Sequence, residues 1–344
     1  MNKELTMREH LASALKFNIE TYRNDGNVHY STLSSLSDDP RKIDPSRERE
    51  VSEAMNLGTA FDLAVASISE FRTTYYAAVF PAPTHTAALL AEILIADDEI
   101  STTDEGAIEG ICKANNFWKS YNAEKRRELY STDNFIQYVE EQRRLSKIDQ
   151  EFILEYAQYN DIISKANKVD EYIQSMYGTS DEVEILYQPQ YSYEYNLDGE
   201  IIKISVMFDV MIVNYTKKHV DILDTKYFSS GKFASNWKYG ISKYRYDIQF
   251  GLYSVGVQKL LQGFDDWTFS RLIFLIACPA DDRLYACTFS ALTVTKIFDG
   301  YSKNDNWYTG INELIIQLNY HRATEQYDYP MDYVNNGNLD ILTL

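Results

Sequence analysis

The run Ile201–Val213 is rich in apolar and β-branched residues, yet it carries a carboxylate, Asp209, between Met207, Phe208, Val210 and Met211. Such a run reads as a buried strand. A carboxylate within it is costly to bury unless it is paired or binds a metal. Turn signals bound the run: Asp198-Gly199, which favours a hairpin, before it, and Asn214–Lys218 after it. Upstream, Glu184–Tyr195 alternates apolar or aromatic residues with polar ones, as a half-buried strand does. Downstream, Val220–Leu223 gives a third strand that ends in Asp224-Thr225-Lys226. Alternation sets Asp224 and Lys226 on one face of that strand and Thr225 on the other. The hairpin then makes Asp209 and Asp224 cross-strand neighbours. Two carboxylates so placed repel each other unless a divalent cation neutralises them. Oxygen ligands beside an ammonium suit Mg²⁺ or Mn²⁺ rather than zinc.

Around this centre the sequence predicts helix over Thr6–Tyr22, a Ser-rich turn over Ser31–Pro40, helix over Met55–Ile68 and mostly helix through residues 85–180. After the three strands, Ser242–Leu261 returns to helical spacing. Leu272–Cys278 suits a central strand and Leu284–Phe289 its neighbour. Leu292–Leu318 reads as a helix broken near Asn304–Asn306. The order is helix, three strands, helix, two strands, helix, which predicts an α/β core with mixed strand directions. The expected organisation is an N-terminal segment over residues 1–50, a main domain over 51–320 with a helical insertion at about 85–180, and a tail over 321–344. The longest apolar stretches fall far short of the ~20 residues of a spanning helix. The N-terminal MNKELTMREH has no apolar core of a secretory signal. Cys112, Cys278 and Cys287 suggest no disulfide framework. A soluble, cytoplasmic protein with no membrane partner is the expectation.

Charge is distributed unevenly. The chain has 33 Lys+Arg against 51 Asp+Glu, a net charge of −18, which argues against a generally basic, nucleic-acid-coated surface. From Lys226 to Lys259 the sign inverts: Lys226, Lys232, Lys238, Lys243, Arg245 and Lys259 face a single acid, Asp247. A local basic groove acts within about 8–10 Å, so this segment is the expected path for a phosphate backbone. Tyr239, Tyr244 and Tyr246 lie in it and offer rings on which bases can stack. The histidines His10, His29, His85, His219 and His321 show no metal-ligand spacing.

The pattern Asp209…Asp224-Thr225-Lys226 resembles the PD-(D/E)xK nuclease signature. Gln249-Phe-Gly-Leu-Tyr253 resembles the QxxxY element of the RecB-type subgroup, and Leu57-Gly-Thr-Ala-Phe-Asp62 its GTAxH helix. Tyr30–Pro40 and Arg271–Phe289 resemble segments of the RecE-like, exodeoxyribonuclease VIII proteins. The resemblance spans most of residues 30–320. It implies a restriction-endonuclease-like core, with a central mixed β-sheet flanked by helices and a helical N-terminal elaboration. It further implies a Mg²⁺- (or Mn²⁺-) dependent DNA exonuclease acting at free DNA ends in recombination or repair, as in phage proteins. A single-strand annealing protein and a homo-oligomer are the partners it suggests. By the same resemblance, Asp209, Asp224 and the Thr225 carbonyl hold the metal, Lys226 orients the attacking water, and Glu184 completes a metal site or positions that water. Gln249 and Tyr253 hold the nucleic-acid backbone, with Lys238, Lys243 and Arg245 as further DNA contacts. The family's usual histidine in GTAxH is Asp62 here, a further candidate metal ligand, and Asp224 stands where many members carry Glu. A nuclease-fold module that binds DNA or protein without cutting, or a restriction-like endonuclease, would share these residues.

Overall fold

The computed structural model describes residues 6–47, 52–178, 180, 182–228, 240–241, 243–279, 281–289, 293–303 and 305–330. They form a mixed α/β structure with two compact units, Met1–Ala66 with Asn167–Leu344, and Ser67–Ala166. The first unit holds the sheet. Its elements are α1 (Met7–Ala14), α2 (Tyr30–Asp38), α3 (Glu53–Ala66), β1 (Val183–Tyr187), β2 (Gln190–Leu197), β3 (Glu200–Met207), β4 (Val210–Asn214), β5 (His219–Tyr227), α4 (Tyr246–Leu260), β6 (Thr268–Cys278), β7 (Asp281–Cys287), α5 (Thr293–Asp299) and α6 (Ile311–Thr324).

The main sheet runs in the order β1-β4-β5-β6-β7, with β5 and β6 parallel and the other pairs antiparallel. The parallel pair needs a crossover, and α4 lies in it. Strand β5 is central and buried from Val220 to Thr225, so its sequence is nearly continuous in apolar residues apart from Asp221 and Asp224.

The two strands expected at Glu184–Tyr195 and Ile201–Val213 are each broken in the middle. Val183↔Asn214 to Tyr187↔Val210 and Gln190↔Met207 to Leu197↔Glu200 keep one antiparallel register, so the four short strands form a single bent ribbon. The bend lies at Gln188-Pro189 opposite Phe208-Asp209. Gln188 takes a left-handed φ of 52°, and Pro189 has no N–H to give to a ladder. Two bonds carry the pairing across it: Gln188 N to Asp209 O at 2.9 Å, and Phe208 N to Pro189 O at 3.0 Å. Asp209 therefore sits at a bend rather than inside a continuous strand.

Other expectations shift for local reasons. The Ser-rich run is a helix, α2, because Leu33 and Leu36 bury one face in the core and supply the periodicity that its serines conceal. The N-terminal segment is not separate, since Met7, Leu11, Leu15 and Val28 belong to the same core as the sheet. The long helix expected over Leu292–Leu318 is α5 and α6 with a small hairpin, Tyr301–Lys303 with Asn306–Tyr308, between them.

The helical insertion is the unit Ser67–Ala166 rather than 85–180. Its start is fixed by a parallel pairing of Tyr76–Ala78 with Ile153–Glu155. Leu90, Leu94, Ile108 and Val139 form its own core. Glu141 accepts the Val79 and Phe80 amides, and the buried Arg143 guanidinium donates to the carbonyls of Leu94, Asp97 and Ile100. No helix among the described residues is long and apolar enough to cross a membrane.

Helix α4 is buried on most of its surface, and α5 and α6 approach it closely at Gly251. A Cβ there would lie 2.9 Å from both Ile297 Cγ2 and Ile311 Cδ1. Gly251→Ala gains about 1 kcal/mol of helix propensity but meets an overpacking cost of about 1–3 kcal/mol. It is expected to lower the urea midpoint with an unchanged slope. Gly110→Ala, where nothing lies within 4 Å, is expected to raise stability by roughly 0.5–1 kcal/mol. Equal midpoints for the two variants would contradict this packing.

Candidate active site

The carboxylates converge where the ribbon bends away from β5. One step beyond Val210↔Leu223, the β4–β5 register sets Asp209 opposite Asp224. Asp209 Oδ2 accepts the Thr225 amide at 2.6 Å. From α3, Asp62 reaches the same residue: Thr225 Oγ1 lies 2.9 Å from Asp62 Oδ1 and 3.2 Å from Asp209 Oδ2. A hydroxyl has one hydrogen to donate, so it cannot serve both carboxylates at once. On the other face of β5, the Lys226 ammonium pairs with Asp224 Oδ1 and donates to the Thr225 carbonyl at 3.1 Å. Helix α4 supplies Gln249, whose Nε2 donates to Asp224 Oδ2 at 2.6 Å and lies 3.0 Å from the Tyr253 hydroxyl. Tyr253 in turn donates to the Met207 carbonyl, next to the bend.

Three carboxyls and one ammonium in a buried setting leave an excess of negative charge. Burial raises Asp224 to about 7, with the Asp209 charge adding to the shift and Lys226 opposing it. Asp62 is held well above the usual carboxylate range, by burial first and by the Asp209 charge second. Asp209 is raised by burial, against the pull of Lys226 and of the Thr225 amide and hydroxyl. Burial works against the Lys226 charge too, but Asp224 and Asp209 outweigh it and hold the ammonium above the usual lysine range.

Asp62, Asp209, Asp224, Thr225, Lys226, Gln249 and Tyr253 are thus brought together. Gln249 and Tyr253 are buried and hold Asp224 and the bend, rather than standing free for a nucleic-acid backbone. Glu184 is not in the cluster. It pairs with Val213, four positions along β1 from the level of Asp209, roughly 13 Å at the rise of a strand, and its carboxylate accepts the Tyr215 hydroxyl. The expected catalytic and metal-binding role of Glu184 is corrected on that ground.

Arg245 does not stand free on the surface where a DNA contact was expected. It is 7% exposed, its guanidinium pairs with the buried Asp247 at 3.1 Å, and it donates to the Thr309 carbonyl at 2.7 Å. Lys243 is exposed, with Nζ 5.4 Å from the Tyr244 ring centre. Lys238, Lys232 and Tyr239 lie outside the described residues.

Four residues around the site were not among the expected catalytic, metal-binding or DNA-binding residues. The Tyr246 ring, one helical turn before Gln249, lies 5.3 Å from Lys226 Nζ, and Phe274 on β6 lies 5.8 Å from it. Tyr30 and Ser34 on α2 both donate to the Tyr244 carbonyl and fix the chain that leads into α4. The sequence offered Tyr246 only as a ring for stacking bases and Tyr30 only as the start of a Ser-rich segment.

Among the described residues, no three His, Cys, Asp or Glu side chains stand together as a ready metal-ligand set. The carboxylate oxygens turn instead to Thr225, Lys226 and Gln249. No family model matches the chain, and no curated protein matches it. Among solved structures it is similar to one described as "Crystal structure of SSO0001", at 16% identity over 56% of this chain and 70% of that chain, with a TM-score of 0.27. A likeness of that size carries no argument.

Two outcomes follow from the geometry. An acid whose pKa is raised by folding weakens the fold as pH climbs above its unfolded value, ~3.9, because the unfolded chain then releases a proton that the folded chain retains. Asp62→Asn, measured by thermal unfolding with chelator present, should match wild type below about pH 4 and exceed it increasingly towards pH 8. Each kcal/mol gained corresponds to about 2–4 °C for a domain of this size. A constant offset across the range would exclude Asp62 from the charged cluster. Arg245→Ala leaves Asp247 buried without its cation, with the Tyr301 hydroxyl still donating to it, and should cost about 3–5 kcal/mol in denaturant titrations. A loss below about 1 kcal/mol, the range of exposed pairs, would return Arg245 to the surface.

Proposed function

We propose that the chain is a divalent-cation-dependent DNA nuclease of the PD-(D/E)xK type, with a restriction-endonuclease-like core, acting as an exonuclease at DNA ends. One observation carries the reading. The Lys226 ammonium is a half-buried cation lodged against Asp224 Oδ1 and the Thr225 carbonyl, with Asp209 across the ladder, and these are the oxygens the resemblance assigns to a metal. A site that already holds one positive charge on hard oxygen donors has the chemistry that Mg²⁺ or Mn²⁺ requires. The raised pKa of Asp224 marks the same shortage of positive charge.

Asp209, Asp224 and the Thr225 carbonyl would hold the cation. Bound there, it supplies Lewis-acid polarisation of a phosphoryl oxygen and a water of lowered pKa. The remaining work belongs to the chain. Lys226 orients the attacking water and balances charge that develops on the phosphate. Gln249 fixes the rotamer of Asp224 from behind, and Tyr253 fixes the carbonyl next to the bend. Thr225 holds Asp209 through its amide, and its hydroxyl stands between Asp209 and Asp62 and can donate to one of them at a time. Asp62 acts on the site through Thr225. The Tyr246 and Phe274 rings confine the Lys226 ammonium to the Asp224 side.

Linear and covalently closed DNA incubated with Mg²⁺ test the reading. Loss of the linear form alone is expected. Cutting of both forms would make the chain an endonuclease, and cutting of neither would leave a binding module. Asp224→Ala and Lys226→Ala should each remove cleavage with the fold retained by circular dichroism. A folded Asp224→Ala protein that degrades linear DNA at the wild-type rate would dismiss the site.

A further inference from the structure

The backbone turns where it enters α4. Arg245 takes a left-handed φ of 53°, uncommon for a residue with a long side chain. Such a conformation persists only where the surrounding contacts over-determine it. Here they act from both sides. Tyr30 and Ser34 on α2 donate to the Tyr244 carbonyl, Ser34 Oγ at 2.9 Å. The Arg245 side chain is fastened by the buried Asp247 and by the Thr309 carbonyl. The turn buries Arg245 and Asp247, leaves Tyr246 half-buried, and exposes Lys243 and Tyr244.

The two tyrosines do different things. Tyr246 packs against the core of the sheet unit, with Phe274 at 5.9 Å and Tyr30 at 6.5 Å between ring centres, and walls the Lys226 ammonium at 5.3 Å. Tyr244 is 39% exposed and stands outside that core. Its ring centre lies 5.7 Å from that of Tyr246, tilted by 35°, and 5.4 Å from Lys243 Nζ. Scattered exposed rings are ordinary on protein surfaces. This one is held by a pinned backbone, carries a cation, and lies one ring away from the ammonium that pairs with Asp224. The acids on the elements that pin the turn are already engaged, Asp247 by Arg245, Asp38 by Lys42 and Asp39 by Arg41. A fixed π-face beside a cation suits a nucleobase and its phosphate.

We propose that Tyr244 is a stacking step for the end of a single DNA strand. An unpaired terminal base lies on its ring, Lys243 meets the phosphate of that strand, and the strand passes Tyr246 and Lys226 towards the acidic cluster. Inside a duplex each base has both faces against its neighbours, so a paired internal base has no face to give. The 5.7 Å between the two rings also exceeds the ~3.4 Å rise of a stacked strand, so a strand that follows the step has lost its stacking. Every base has a π-face, and the step therefore selects strandedness rather than sequence. The passage of the strand to the acidic cluster rests on the nuclease reading; stacking of an unpaired base on Tyr244 does not.

The test is a fluorescence titration, in chelator so that no cleavage occurs, with a single-stranded oligodeoxynucleotide carrying 2-aminopurine at one terminus or the other. Stacking quenches this base, so saturable quenching is expected with the label at one of the two termini. Tyr244→Ala should weaken binding about tenfold, or about 1.4 kcal/mol, a size within the range of base–ring stacking. It should also abolish the quenching and leave the salt dependence unchanged, and Tyr244→Trp should restore both affinity and quenching. Lys243→Ala should keep the quenching and lower the salt slope by about 0.7, the share of one phosphate contact on a single strand. Tyr121→Ala, at a similarly exposed tyrosine of the helical unit, should leave all three readings at the wild-type level. Absence of saturable binding, or affinity and quenching unaltered in a folded Tyr244→Ala protein, overturns the proposal. Equal affinity for a blunt duplex of the same length overturns it too, because a base pair would then occupy the ring. The two readings fail separately. Tyr244-dependent binding without cleavage in Mg²⁺ retains the step and removes the nuclease, whereas cleavage with binding indifferent to Tyr244 does the reverse.

Discussion

The ion pair between Lys226 and Asp224 is the interaction on which the surrounding structure depends. Asp224 is wholly inaccessible in the central strand of the sheet, where an isolated carboxylate would not remain ionised. Lys226, two residues on, reaches it because alternation puts both side chains on one face of β5. A second, half-buried carboxylate, Asp209, then leaves one ammonium to balance more than one acid. The neighbouring groups respond to that imbalance. Gln249 donates to Asp224, Thr225 donates to Asp209, and aromatic faces from Tyr246 and Phe274 close around the ammonium. A buried pair of this kind is weak evidence for stability, because well-packed apolar residues usually fold as well or better. Its presence at the centre of a sheet is better explained by chemistry.

The bend of the ribbon decides where that chemistry stands. A flat hairpin would carry Asp209 along the sheet, with its carboxylate on a face closed by the next layer. Gln188 in a left-handed conformation and Pro189 without an N–H turn the ribbon at this level, and the cross-strand bonds at the bend keep the register intact. Because the register survives, Asp209 still falls opposite Asp224. Because the ribbon turns, Asp209 retains partial exposure beside the buried Asp224. Bends and bulges of this sort re-aim side chains near functional sites.

Much of this was legible in the sequence, and what was not has physical causes. The mixed α/β order, the Asp198-Gly199 turn and the Asp209–Asp224 register follow from alternation and turn chemistry, which act over a few residues. The bend did not show, since apolar residues continue through Met207, Phe208, Val210 and Met211 whether a strand is straight or kinked. The Ser-rich helix α2 was hidden because serine is at home in turns, while its helicity comes from tertiary burial of Leu33 and Leu36. Glu184 and Arg245 were misplaced for a shared reason. Strand position and local charge do not reveal a long-range partner, and Tyr215 and the Asp247–Thr309 pair are seen only once the chain is folded.

The fate of the cations bears on how so acidic a chain would meet a polyanion. Proximity in sequence made residues 226–259 look like a basic tract. In the fold, Lys226 neutralises Asp224 and Arg245 neutralises Asp247, so both charges are cancelled locally before any phosphate approaches. Lys16 and Lys203 lie far apart in sequence and suggested no tract; the fold brings them together, but with Glu194 opposite Lys203 in the ladder and Asp25 close by. Attraction at short range depends on uncompensated charge within about a Debye length, ~8–10 Å, rather than on the number of lysines in a window. On that criterion the outer ribbon, where the carboxylates of Asp25 and Glu194 share one space with the two lysines, offers an anion no net attraction. A net charge of −18 would then repel a polyanion unless a cation held at the acidic cluster offsets it locally.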